Sequence, residues 1–250
     1  MMMQRIKNIF KVILGKTYFS LLAPQALKKI IASREKADSP EKSYQWTEEF
    51  LVGPKLRGFN INFRPSQIKS EIIGLATELQ KNPPRRLLEI GTATGGTLFI
   101  FARVAAEDAK IISLDLPFGR YGAGYLSYRL PLLRAFASQK QSIHLLRTDS
   151  HKPKAHQKIA NLLNGELLDF LFIDGDHSYN GVKADFDNYH HFVRPGGIIA
   201  FHDIVDNRLD SSFGTQKFWQ EIKDNYEHQE FIRPNADQTG CGIGLIRLAI

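Results

Sequence analysis

The chain contains a single cysteine, Cys241, among its 250 residues. One cysteine cannot form an intramolecular disulfide, so the sequence excludes a disulfide-stabilised fold and is compatible with a reducing cytosol. No uninterrupted apolar run approaches the roughly 20 residues that span a bilayer, because Lys11 and Lys16 interrupt the most apolar N-terminal stretch. We therefore expect no transmembrane anchor. A signal peptide also fits poorly, since no apolar region leads to a small-residue cleavage site.

Several motifs of other enzyme classes are also missing. The sequence has neither the Gly-x-Ser-x-Gly elbow of hydrolases nor a phosphate loop ending in Gly-Lys-Ser/Thr. A glycine turn is present at Gly91, but Ala93 stands where a dinucleotide fingerprint needs its middle glycine. Hydrolase, nucleotide-hydrolysing and NAD-binding functions therefore lack their sequence signals.

The charge of the chain is basic but dispersed. The formal net charge is +7 and the isoelectric point is about 9.4, which permits contact with anionic surfaces or substrates. Lysine and arginine are mixed with acids along the chain, and no nucleic-acid-binding module accompanies them. We expect no nucleic-acid partner.

Residues 1–50 predict an amphipathic, basic helical extension followed by a linker. Apolar side chains recur at helical spacing over residues 6–14 with basic residues between them, and residues 26–34 again look helical and basic. Residues 35–45 are charged and contain a proline, which is typical of a linker. We expect a cytoplasmic protein, and three interpretations of this helix stay open. It docks on the core or on a second copy, it attaches peripherally to an anionic membrane, or the segment is disordered.

Residues 84–250 predict one α/β domain, preceded by a helical entrance segment over residues 51–83. Strand-like and helix-like segments alternate without repeats, which indicates a Rossmann-like, mostly parallel sheet with helices on both faces. The predicted sheet has seven strands, the last of them antiparallel. Strands are expected near residues 86–90, 110–115, 142–147, 168–173, 197–202, 230–233 and 242–248.

The first predicted strand ends in a glycine turn. Residues 87–96 read LLEIGTATGG, an apolar run that carries the acid Glu89 and opens into a turn. Gly91 and Gly95 let the backbone turn tightly and bring a helix N-terminus close to a ligand. This pattern favours a nucleoside cofactor.

Polar residues also follow the second and third predicted strands. Asp115 ends the second strand, where a carboxylate accepts hydrogen bonds from ribose hydroxyls, although a helix-capping or solvated aspartate is an alternative. Asp149 and Ser150 follow the third strand, where they either hydrogen-bond an adenine edge or form an ordinary turn. Ligands gather at the carboxyl ends of strands in an open sheet, so these residues are candidates for one site.

The fourth and fifth strands carry the strongest chemical signal. Residues 169–179 read DFLFIDGDHSY, with Asp174 directly after the strand, and the next strand ends in His202 and Asp203. If these strands are neighbours, two carboxylates and an imidazole converge and can hold a divalent cation. The oxygen-rich set favours magnesium or manganese, while the histidine favours manganese or iron. In a metal-free alternative, Asp174 pairs with a charge and His202 caps the sheet.

Four segments in this order resemble class I S-adenosylmethionine-dependent methyltransferases: LLEIGTATGG at 87–96, SLD at 113–115, DFLFIDGDHSY at 169–179 and RPGGIIAFHD at 194–203. Within that class they resemble the bacterial group related to catechol-type and macrocin-type sugar O-methyltransferases and to cephalosporin hydroxylase-like proteins. The resemblance covers about residues 84–248, and it implies a seven-stranded sheet whose last strand is antiparallel.

The resemblance also implies roles for individual residues. S-adenosylmethionine is the expected cofactor, and a divalent metal, Mg²⁺ or Mn²⁺, is expected beside it. Asp174 is expected to contact both the cofactor and the metal. His177 is expected to be the general base, and the alternative is that it is a structural histidine of the loop. The remaining implied contacts are Glu89, Gly91, Thr92 and Gly95 near the methionine and ribose, Asp115 at the ribose hydroxyls, Asp149 and Ser150 near adenine, and Asp174, His202 and Asp203 at the metal.

The expected reaction is transfer of the sulfonium methyl to a hydroxyl of a small molecule, of the sugar or natural-product type. Two rivals stay open. One is a metal- or nicotinamide-dependent oxidoreductase or hydroxylase on the same fold. The other is a non-catalytic cofactor-binding protein that assembles with an enzyme through its N-terminal helices.

Overall fold

The computed structural model describes residues 2–56, 59–117, 125–208, 210–233 and 238–249, with side chains described from residue 17 onward. The helices are α1 (Met2–Ser33), α2 (Pro40–Glu49), α3 (Lys69–Lys81), α4 (Gly96–Val104), α5 (Arg129–Arg134), α6 (Pro153–Leu163), α7 (Tyr179–Tyr189) and α8 (Thr215–Ile222). The strands are β1 (Arg86–Ile90), β2 (Lys110–Asp115), β3 (Ser142–Arg147), β4 (Leu168–Ile173), β5 (Val193–His202), β6 (Glu227–Phe231) and β7 (Ile243–Arg247).

The strands pair into one seven-stranded sheet in the order β3-β2-β1-β4-β5-β7-β6. Strands β1 to β5 pair in parallel, whereas β7 is antiparallel to both β5 and β6. The predicted Rossmann-like sheet with its antiparallel last strand is therefore confirmed. Because β4 and β5 are neighbours, the residues that follow them lie at one edge of the sheet.

Apolar side chains on successive strand residues point to opposite faces of the sheet. Leu87 belongs to a core shared with α3, α4 and α5, while Leu88 belongs to a second core shared with α6, α7 and α8. Burial on both faces explains why the central strands are nearly continuous apolar runs rather than alternating ones.

The first two helices pack on this framework. Helix α1 continues through Pro24, and Ile30 on its second half is fully buried. From α2, Trp46 stacks on Phe99 of α4 with ring centroids 3.8 Å apart, and its indole N–H donates to Ser33. Within the described residues, no helix combines the length and apolarity needed to cross a bilayer. The predicted amphipathic pattern of residues 6–14 lies outside the described side chains.

Two details of the predicted N-terminal organisation are wrong. Residues 40–45 are not linker but the start of α2, because Ser39 accepts a hydrogen bond from the Lys42 amide and Pro40 occupies the first helical position. Among the described residues of the entrance segment over 51–83, α3 is the only helix. Before α3, the regular pairing among its described residues is a bridge between Val52 and Ile61.

Candidate active site

The glycine turn joins β1 to α4 at the edge of the sheet where β4 also ends. Gly91 has a φ of 90°, in the left-handed region, and an added Cβ would overlap the carbonyl of Asp174. Gly95 has a φ of 97° and directly precedes α4. Glycine at position 91 lets the ends of β1 and β4 approach each other closely, and glycine at position 95 leaves room for the Leu133 side chain.

Glu89 is fully buried behind the glycine turn and is not exposed at the surface of the turn. Its carboxylate accepts hydrogen bonds from the hydroxyls of Thr97, Thr92 and Ser113, at 2.5, 2.7 and 3.1 Å. Burial raises the pKa of Glu89 to about 7, although the three hydroxyl donors oppose the rise. The Tyr125 hydroxyl bonds Ser113 and Thr92 and extends the same network.

Asp115 holds the outer side of the turn. One carboxylate oxygen accepts from the backbone N–H groups of Ala93 at 2.7 Å and Thr92 at 3.2 Å, while the other accepts from Leu116 at 2.6 Å. Burial raises its pKa, and these backbone donors oppose that rise. Asp115 therefore fixes the loop while one side of its carboxylate still lines the adjacent cavity.

That cavity has a volume of about 410 Å³ and runs along the carboxyl ends of the parallel strands. Most of the residues expected at a cofactor line it, but Glu89, Thr92 and Gly95 do not; they support the glycine turn from behind. His151, which follows Ser150 and is not among the predicted site residues, lines the cavity as well. The predicted residues that line the cavity are Gly91, Asp115, Asp149, Ser150, Asp174, His177 and His202.

Asp174, His177, His202 and Asp203 converge at one end of the cavity. The His202 Nδ1 lies 3.1 Å from one oxygen of Asp174 and 3.4 Å from one oxygen of Asp203. The His177 Nδ1 lies 2.9 Å from the other oxygen of Asp203, and its Nε2 lies 3.6 Å from Asp174. Asp203 has a φ of 61° directly after β5, and this left-handed turn directs its carboxylate back toward both imidazoles.

The two acids control the charge of the two imidazoles. Burial alone would lower the pKa of His177, but the hydrogen bond to Asp203 and the charge of Asp174 raise it. Burial also opposes protonation of His202, yet Asp174 raises its pKa well above the ordinary value. In turn, both imidazoles outweigh the burial of Asp203 and hold the pKa of that carboxyl well below its usual range.

Two groups of side chains among the described residues bring metal-binding atoms within 4.8 Å of one another. Asp174, His177 and Asp203 form one, an oxygen-rich set; His202, Asp203 and Cys241 form the other. The donor types of the first group fit a hard or borderline divalent cation. The predicted ligand His202 thus contacts both acids but belongs to the second group.

Several residues of the site escaped the sequence analysis. Gln67, just before α3, donates to the free oxygen of Asp174 at 2.6 Å. Glu71 of α3 is 1% exposed and accepts from the Gln238 side chain at 2.7 Å and the Gly242 amide at 2.9 Å. The paired residues are separated by between 107 and 171 positions in the sequence, so no local pattern predicts these contacts.

A further unforeseen contact orients His151. Its Nε2 lies 3.3 Å from Asp185 of α7, whose carboxylate is fully buried. The hydrogen bond to Asp185 raises the pKa of His151 to about 9, against the effect of burial. The cavity therefore has a cationic side chain beside the predicted adenine residues Asp149 and Ser150.

The sheet order, the glycine turn and the acids at the strand ends are those of the Rossmann-like fold found in class I methyltransferases. Residues 88–204 match a family model described as a methyltransferase domain. The matched stretch carries the glycine turn and the cluster of Asp174, His177, His202 and Asp203, so over these residues the chain is similar to methyltransferase domains.

Solved structures share the fold. An O-methyltransferase from Bacillus cereus, solved with S-adenosylhomocysteine, aligns with a TM-score of 0.54 and 19% identity over 90% of each chain. The O-methyltransferase TomG from Streptomyces achromogenes, solved with S-adenosylmethionine, aligns with a TM-score of 0.52 and 18% identity over 84% of this chain and 89% of that one. At these identities the likeness concerns the fold.

Curated relatives match parts of the chain. A probable caffeoyl-CoA O-methyltransferase of Arabidopsis thaliana is 29% identical over 129 residues, which are 50% of this chain and 48% of that protein. The tapetum-specific methyltransferase 1 of the same plant is 32% identical over 140 residues, 52% of this chain and 49% of that protein. An uncharacterized protein of Sinorhizobium fredii is 30% identical over 142 residues. The chain spans about half the length of these plant relatives and 15% of the bacterial one.

Proposed function

We propose that the protein is an S-adenosylmethionine-dependent O-methyltransferase that acts on a hydroxyl of a small molecule, of the sugar or natural-product type. One observation carries the proposal: Asp174 belongs both to the cavity lined by Gly91 and Asp115 and to the cluster with His177 and Asp203. A methyl donor and an acceptor hydroxyl bound on either side of Asp174 would meet at that point.

The residues of the cavity fit a nucleoside cofactor. A carboxylate oxygen has more than one lone pair, so Asp115 can accept from ribose hydroxyls while it holds the backbone of the glycine turn. Asp149 and Ser150 offer polar groups at the other side of the cavity. When bound, S-adenosylmethionine supplies a methyl group on a sulfonium leaving group. The solved relatives that carry this cofactor or its product support the assignment.

The acidic cluster fits a divalent cation, Mg²⁺ or Mn²⁺. We assign Asp174, His202 and Asp203 as its ligands, with the acceptor oxygen completing the set. Such a cation acts as a Lewis acid that lowers the pKa of a bound hydroxyl. A nitrogen that binds a cation has no lone pair left for a proton, so with His202 as a ligand we assign proton transfer to His177.

His177 is the general base in this proposal. The Asp203 carboxylate lies 2.9 Å from Nδ1 and would favour the neutral tautomer that carries its proton on Nδ1 and its lone pair on Nε2. Phe213 packs edge-on against the ring with centroids 4.7 Å apart and restricts its rotation. Nε2 would take the proton of the acceptor hydroxyl as the hydroxyl oxygen attacks the methyl group in line and S-adenosylhomocysteine leaves, while the cavity walls would hold the two reactants in position.

An acceptor screen with labelled S-adenosylmethionine tests the function. Purified protein is incubated with sugars, catechol-like diols and natural-product alcohols, with and without added Mg²⁺ or Mn²⁺. We expect labelled product from at least one hydroxyl compound, loss of transfer with a chelator and recovery when metal is added back. Transfer that survives complete metal removal would reject the cation and leave the methyltransferase standing.

Two binding results would reject the methyltransferase assignment in favour of one of the rival functions. S-adenosylmethionine that fails to bind in calorimetry, while NAD binds, would favour the nicotinamide enzyme. Tight cofactor binding with no transfer to any acceptor class would favour the non-catalytic partner. We further propose a cytoplasmic location, with self-association or peripheral membrane contact through α1, which sedimentation and vesicle binding would test.

A further inference from the structure

Beside the oxygen-rich group lies a second one that contains the only cysteine of the chain. It consists of His202 and Asp203 at the end of β5 and Cys241 in the turn before β7. We propose that these three residues form an alternative binding site for a thiophilic divalent cation such as Zn²⁺, which uses His202 and Asp203 in common with the proposed Mg²⁺ or Mn²⁺ site and therefore excludes that ion when occupied. A water molecule or an acceptor atom would complete its coordination.

The geometry of the three side chains suits such an ion. A ring nitrogen of His202, a carboxylate oxygen of Asp203 and the Cys241 Sγ all lie within 4.8 Å of one another. Zinc bonds of about 2.0 to 2.3 Å in a tetrahedron separate neighbouring ligand atoms by roughly 3.3 to 3.8 Å. Small side-chain movements would therefore bring the three atoms into coordination distance.

A buried nitrogen of His202 that lacks a hydrogen bond within the described residues supports the same metal site. His202 is only 5% exposed, and its Nε2 makes no hydrogen bond to the part of the chain that the structure describes. Its Nδ1 is already directed at Asp174, so Nε2 is the nitrogen that remains to be satisfied. A buried polar atom without a partner is costly, and coordination of an ion satisfies it.

The types of donor atom decide which cation is preferred. Thiolate and imidazole ligands select zinc and similar borderline ions, whereas magnesium prefers an all-oxygen set. Three protein ligands with one open position are typical of exchangeable or catalytic zinc sites rather than of closed structural ones. Because Cys241 is the only cysteine, no intramolecular disulfide competes for its sulfur. On binding, the cation would replace the thiol proton, and any proton on the ring, with coordinate bonds.

The two metal-binding groups share one carboxylate. Asp203 contacts His177 through one oxygen, and through the other it accepts the Cys241 amide at 3.1 Å and lies near His202. An ion at the thiol site would draw His202 away from Asp174 and engage Asp203. If the proposed function holds, Zn²⁺ would therefore inhibit methyl transfer at concentrations where Mg²⁺ supports it. The binding itself does not depend on that function.

Cobalt titration of the full chain tests the site directly. Co²⁺ replaces zinc in such sites and produces a thiolate-to-metal charge-transfer absorption in the near ultraviolet. Since Cys241 supplies the only thiol, any such band must come from this residue. We expect the band to saturate at one Co²⁺ per chain and to disappear when Zn²⁺ is added. No band, or saturation at one ion per two chains, would overturn the proposal.

Three variants sharpen the result. Cys241→Ser should abolish the band and weaken Zn²⁺ binding at least about tenfold, since even changes to groups outside the ligand shell cost about 10- to 100-fold in affinity. His202→Gln should shift or abolish the band, provided that circular dichroism shows a folded protein. His177→Gln, the matched control in the neighbouring group, should retain it. Unchanged Zn²⁺ affinity in Cys241→Ser would overturn the proposal without bearing on methyl transfer.

Discussion

The ionisation of Glu89 makes the stability of this protein depend on pH in a way that one substitution should remove. Its carboxyl is completely buried, and its pKa of about 7 compares with an ordinary 4.5. A difference of 2.5 pKa units corresponds to about 3 kcal/mol at about 1.4 kcal/mol per unit. Between these two pH values the folded chain holds a proton that the unfolded chain has lost, so its stability falls as pH rises.

The perturbation is Glu89→Gln, which keeps the size of the side chain but cannot ionise. Urea unfolding of the wild type and the variant gives the free energy of unfolding at each pH. The free energy of unfolding of the wild type minus that of the variant should fall by about 2 kcal/mol between pH 5 and pH 7. Above that range the difference should level off. Well below pH 4.5 the Glu89 carboxyl is neutral in both the folded and the unfolded wild type, and the difference should again be constant.

Glu107→Gln is the matched control, because it makes the same chemical change on a side chain that is 84% exposed. Its difference from the wild type should stay within about 0.5 kcal/mol at every pH. A flat difference profile for Glu89→Gln would refute the reasoning. It would mean that the hydroxyls of Thr92, Thr97 and Ser113 compensate the burial of the carboxylate fully.

Three further substitutions test the site and the fold. His177→Ala should lower turnover about 100- to 10,000-fold while calorimetry finds unchanged cofactor affinity; unchanged turnover would remove the base assignment. Asp115→Ala should weaken S-adenosylmethionine binding roughly 10- to 100-fold, because hydrogen bonds to a charged group contribute about 1.5 to 3 kcal/mol; wild-type affinity would contradict the ribose role. Ser39→Ala removes the cap of α2 and should lower the free energy of unfolding by about 1 kcal/mol, and an unchanged urea midpoint would argue against the cap.

Much of the fold could be predicted because its signals are local. Strands such as β4 are apolar runs bounded by turn residues, and burial on both faces leaves that pattern directly in the sequence. The start of α2 also has a local signal, because serine followed by proline and glutamate indicates the start of a helix. The linker prediction is wrong here because a proline in a charged segment is typical of linkers as well. The extent of β5 was underestimated, because its first residues include the turn-like Pro195 and Gly196.

The site could be predicted only where it follows strand ends. Asp115, Asp174 and His202 are found by the rule that ligands gather at the carboxyl edge of a parallel sheet. Gln67 and Glu71 reach the same place from a helix that precedes the sheet, and only the packed fold brings them there. Glu89 was expected at the cofactor, but its three hydroxyl partners turn it inward, and single positions do not reveal such a network.

The long-range contacts of Glu71 bear on the order in which the two halves of the site can form. The glycine turn is completed by Asp115, only 23 residues after Thr92, so it can close soon after β2 has been synthesised. The hydrogen bond from the Gly242 amide to Glu71 joins residues 171 positions apart, so it forms only after Gly242 has been synthesised. This contact helps to hold the turn at Cys241, whose amide donates to Asp203. Contacts of such separation form late because of the entropy of closing long loops. A nascent chain would therefore form the glycine turn first and complete the surroundings of Asp203 only when the β6–β7 hairpin has packed.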